Sequence, residues 1–201
     1  MFRWVTTGAV AALCLVVSPV SAEPFDDFIN LCVNNDGRRE VVIAKAEERG
    51  WYRLPAEALP EDGGEFRDTV AFLSVNPEDH PGGMPADLRM VMVGRGDGEK
   101  TLGIARLELE ACAVVLLADT GEAASWAGRL DQTFGFGATS KGELPLWVFS
   151  REGSGFRSEA TLMDLSDDQL VAVAKQRDLY IAGVLREEFE GLLFAAIRPG
   201  E

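Results

Sequence analysis

The single histidine, His80, lies in Asn76-Pro77-Glu78-Asp79-His80-Pro81-Gly82-Gly83. A loop imidazole beside a carboxylate can serve as a general base, because the carboxylate orients the ring and favours its protonated form. No Gly-x-Ser-x-Gly elbow accompanies it, so no nucleophile can be assigned and the residue reads as a solvent-facing loop histidine. One histidine in the whole chain also excludes any site that needs two imidazoles. Gly94-Arg95-Gly96-Asp97-Gly98-Glu99-Lys100-Thr101 invites comparison with a phosphate loop and fails on spacing, since Glu99 separates the last glycine from Lys100. Asp97 and Glu99 would moreover repel the anion, so the segment Gly94–Gly98 reads as a hairpin turn.

The acidic groups Asp26-Asp27, Glu61-Asp62, Asp164 and Asp167-Asp168 lack the alternating ligands, central glycine and distal glutamate of a calcium loop. They read as solvated surface charge. Zinc would need more imidazole or free thiolate than the chain offers. The residues therefore nominate no catalytic group, no metal ligand and no cofactor, and they leave the ligand-binding residues unknown. Among the tryptophans, Trp126 falls on a helical apolar stripe and Trp147 in an apolar strand, which makes both packing residues. Trp51, just past a helix end, is the one expected to be partly exposed.

Charge removes a further class of function. The formal net charge is −14, and 18 Lys+Arg face 33 Asp+Glu from Glu23 onward. Such a body repels a phosphate backbone, which argues against nucleic-acid partners.

The elements that would position any site begin with a leader. Arg3, the apolar run Ala9–Val17, Pro19 and the small residues Ser21 and Ala22 form a secretory signal, with cleavage expected after Ala22. Nine apolar residues are too few to span a bilayer, and no later stretch is long enough, so no transmembrane span is expected in the mature chain. Residues 23–201 then form a single domain, exported to the periplasm or the medium. Loss of Cys14 with the leader leaves Cys32 and Cys112, an even pair in an oxidising compartment.

Phe25, Phe28, Ile29 and Cys32 fall on one face of a helix over 25–32. A second helix runs from Arg38 to Arg49, with Gly50 at its C′ position. Strands are expected over 68–75, 88–93 and 101–110, the last continuing through an unalternating run, 112–118, that suggests burial on both faces. A helix over 120–134 follows, then a hairpin of 144–150 with 156–162. A Ser166-x-x-Gln169 capping box opens a short helix to about Arg177, and strands over 179–185 and 191–197 end the chain. Short turns between consecutive strands make this an α+β fold with a mainly antiparallel sheet. Burying the apolar faces of the first helix and of the Cys112 strand against each other brings Cys32 and Cys112 together, so a disulfide is expected to tie the N-terminal helical pair to the sheet.

Phe28-x-x-x-Cys32, a polar turn, a helix, Gly50-Trp51 and a distal Cys112 resemble the pattern of small exported alphaproteobacterial proteins without an assigned function. The resemblance implies export and a paired cysteine framework, and brings no catalytic residues. The expected function is that of a non-catalytic binding or accessory protein of the cell envelope, with an unidentified protein or small molecule as partner. The alternative is a periplasmic hydrolase with a site near His80.

Overall fold

In the computed structural model the described residues are 23–59, 66–102, 104–118, 120–140, 144–186 and 189–200. The leader, its cleavage site and the Glu61-Asp62 pair lie outside them. The strands are β1 (Tyr52–Arg53), β2 (Phe66–Leu73), β3 (Arg89–Asp97), β4 (Leu107–Leu116), β5 (Leu146–Glu152), β6 (Gly155–Ser158), β7 (Leu179–Leu185) and β8 (Gly191–Pro199). They form one sheet in the order β1-β2-β3-β4-β8-β7-β5-β6, and every neighbouring pair is antiparallel. The α-helices are α1 (Pro24–Asp27), α2 (Arg39–Glu48), α3 (Gly98–Leu102), α4 (Ala123–Phe134) and α5 (Asp167–Ala174). The fold is α+β.

Alternation along the strands separates two faces. On the first, Phe72, Val91, Val93, Cys112, Val114, Phe194, Tyr180 and Phe149 pack against α1, α2 and α4. On the second, Leu107, Leu109, Val148, Leu179 and Ile197 pack against Leu170, Val171 and Ala174 of α5 and Leu162 of the 3₁₀ turn before it. β4 is central; it alternates over Leu107–Glu110 and is buried at every residue from Ala111 to Leu116, where its sequence stops alternating.

The helix ends follow from their sequences. At the end of α2 the Gly50 N–H donates to Glu47 O and the Trp51 N–H to Ala46 O, with Gly50 at φ 73°. These are the two bonds of a Schellman motif, which needs the left-handed residue that glycine supplies. Gln169 Oε1 accepts the Ser166 N–H at 3.0 Å, closing the expected capping box of α5. Trp126 and Trp147 are buried and Trp51 is half-buried, with the Arg89 guanidinium over its ring.

The N-terminal helix departs from regular α geometry. Pro24 starts α1, and the chain continues through a π turn (Phe28–Cys32) and a 3₁₀ turn (Val33–Asn35). The extra residue in the π turn rotates the buried face, so Leu31 is buried and Ile29 only partly so. Cys32 then meets Cys112 of β4 in a disulfide with Cα atoms 5.5 Å apart. Gly37 closes this region. A Cβ there would lie 3.1 Å from Glu110 O and from the Phe194 ring, tighter than ordinary packing, and Gly37 sits at φ 64°, so glycine suits this contact with β4 and β8.

Three expectations need correction. Gly94–Gly98 is not a hairpin turn: β3 runs through Asp97, and the connection to β4 is α3 with residues 104–106. The glycines serve close approach instead. A Cβ on Gly94 would come within 2.9 Å of Thr69 Oγ1, and one on Gly96 within 2.8 Å of the Phe66 ring. The strand expected from Thr101 accordingly begins at Leu107. The β5–β6 hairpin is shorter than expected, because residues after Ser158 leave the sheet and turn as a 3₁₀ helix toward α5.

Candidate functional site

The second face of the sheet is only partly covered. Beside the α5 core a groove crosses it, floored by Gly94 of β3, Ala111 and Ala113 of β4 and Leu193 of β8. Phe66, Thr69 and Met92 wall it toward β2, and Leu185 and Phe189 wall it toward β7. Its volume is about 290 Å3 and it opens to solvent. Pairing register sets the small residues side by side: Gly94 is paired with Ala111, and on the neighbouring rung Ala113 lies between Met92 and Leu193.

The β2 end depends on a bulge. Between Arg67 and Val70 the strand gains one residue relative to β3, and Asp68 sits at φ 54°. Aspartate tolerates this left-handed conformation better than most side chains. Arg39, at the start of α2, donates its Nε–H to Asp68 O at 3.1 Å and braces the bulge from the opposite face. The bulge brings Thr69 over Gly94, where the missing Cβ leaves room for its hydroxyl.

The β7 end is the hairpin that carries Phe189, which is 45% exposed. Glu190 fixes this hairpin to α4. Its carboxylate accepts from the Thr120 N–H and hydroxyl at 3.1 and 2.9 Å and from the Ala123 N–H at 3.3 Å. α4 has no side-chain cap from its own N-cap residue, so Glu190 supplies one from the β7–β8 connection. Arg186 completes the tie by donating to Ala123 O at 2.7 Å. Burial alone would raise the Glu190 carboxyl, but the donors from Thr120, Ala123 and Glu122 outweigh it and hold it below its ordinary value of 4.5. A carboxylate depressed by folding adds stability above its unfolded value, and that stability disappears as pH falls through the folded one. Glu190→Gln is therefore expected to cost about 1 kcal/mol at neutral pH, the usual worth of a cap. The difference from wild type should shrink below pH 4.5. Urea melts at neutral and acidic pH check this, and a constant difference across the range would contradict it.

His80 stands apart from the groove. It is half-buried in the 76–85 loop, and no hydrogen bond or ion pair engages its ring among the described residues. Both mature cysteines are in the disulfide, so neither offers a thiolate. Ser150 is held by a buried carboxylate: its hydroxyl donates to Glu159 Oε1 at 2.7 Å. Glu159 also accepts from Arg157 at 2.9 Å and from Arg177 at 2.8 Å, and Ser150 is 2% exposed. Both carboxylate oxygens are occupied and the hydroxyl is shut in, so this cluster ties β5 to α5 and offers nothing to a substrate. Among the described residues no group of three or more histidine, cysteine or acidic side chains is arranged to hold a metal ion.

The acidic pair Asp26-Asp27 divides. Asp26 is exposed as expected, but Asp27 is buried between Arg49 at 2.8 Å and Arg89 at 2.9 Å. It joins α1 to α2 and β3, and sequence reasoning missed it. The groove was missed as well. Its only sequence signal is the pattern of small residues at Gly94, Gly96, Ala111 and Ala113 in otherwise bulky strands.

No protein-family model matches the chain, and no match was found among the curated proteins or the solved structures.

Proposed function

We propose that this chain is a non-catalytic binding or accessory protein of the cell envelope, exported to the periplasm or the medium after cleavage following Ala22, and that the groove is where it binds. The observation that supports this is the groove itself. It is concave and almost wholly apolar, and among the described residues its walls carry one hydroxyl, Thr69, and no acid, base or nucleophile. The disulfide fits an oxidising compartment. No helix among the described residues is long and apolar enough to cross a membrane. A hydrolytic role at His80 finds no comparable support.

The test is binding of a polarity-sensitive naphthalene dye to the purified protein. Wild type is expected to bind it. Ala113→Leu, whose larger side chain would rise from the groove floor, is expected to weaken binding at least tenfold with little change in melting temperature, and His80→Ala to bind as wild type does. Equal binding by wild type and Ala113→Leu would remove the groove from the proposal.

A further inference from the structure

We draw no further inference here: the strongest candidate, the apolar groove across the second face of the sheet, belongs to the site already described, and nothing in the structure shows which single occupant covers it.

Discussion

Replacing Cys32 and Cys112 together with alanine is expected to lower the melting temperature by about 9–18 °C, the shift that about 4.5 kcal/mol produces in a domain of this size. The energy follows from the loop the bond closes. The cysteines are 80 residues apart in sequence, and restraining so long a loop in the unfolded chain is worth about 4.5 kcal/mol on the chain-entropy model. That is a large part of the 5–15 kcal/mol by which domains are typically stable. The bond also holds a helix that is weak on its own. α1 has four residues before it passes into the π and 3₁₀ turns, far below the length at which an isolated helix persists in water. Both sulfurs are buried in the main core, so alanine, which introduces no polar atom, is the suitable replacement. Wild type melted in reductant, after thiol titration shows two free thiols, should fall to the temperature of the double variant. Equal melting temperatures with and without reductant would mean that packing alone holds the N-terminal segment.

The disulfide was legible because each half of the argument had its own signal. Cys32 lay on an apolar helical face with Phe25 and Phe28, and Cys112 in a run too uniformly apolar for a one-sided strand. The helix caps were legible for a similar reason: Gly50, Ser166 and Gln169 act on backbone groups a few residues away, so local sequence specifies them. Gly94 and Gly96 misled because glycine has two uses. In Gly94–Gly98 their density indicated a turn, whereas their role is to admit Phe66 and Thr69 from β2. Telling one use from the other requires knowing which strand lies alongside, and that is a long-range fact.

The groove was illegible for the same reason in stronger form. Its floor combines β3, β4 and β8, and the last of these joins the sheet beside β4 after three intervening strands and two α-helices. Nothing local in residues 191–199 announces that neighbour. Ala111 and Ala113 look like ordinary small core residues until Leu193 and Gly94 are set on either side. Glu190 is similar, since its cap acts on a helix whose first residue is 67 positions earlier. Asp27 was different, because a signal existed. Pro24, Asp27, Phe28 and Leu31 share helical spacing, so a carboxylate lay within the apolar stripe, and arginines at 49 and 89 were available to meet it.

Asp27→Ala is expected to destabilise the protein by about 3–5 kcal/mol, the range for removing one member of a buried ion pair. The Asp27 side chain is 3% exposed and that of Arg89 12%, so the loss removes a buried charge that faces a largely buried guanidinium at 2.9 Å. Arg49, 34% exposed, can turn outward and contributes less. Asp27→Asn should cost roughly half as much, because it keeps an acceptor oxygen toward the arginines and removes the charge that burial penalises. That burial pushes the Asp27 carboxyl above the ordinary carboxylate value, and the Arg89 and Arg49 guanidiniums, which pull it down, do not offset it fully. The folded protein then binds this proton more readily than the unfolded chain does, so the contribution of Asp27 grows as pH falls from the folded value toward the unfolded one. Acid sensitivity should therefore arise at Glu190 and not at Asp27, and Asp27→Asn should leave the acid limb of the stability curve no shallower. Arg89→Met in the Asp27→Ala background should recover at least half of the loss, since it removes a largely buried charge that no longer faces Asp27 and keeps apolar volume beside Trp51. Urea denaturation of the four proteins of this cycle measures the coupling directly. An Asp27→Ala protein within 1 kcal/mol of wild type, or a double variant no more stable than Asp27→Ala, would show that the cluster holds α1 to β3 by packing and not by charge.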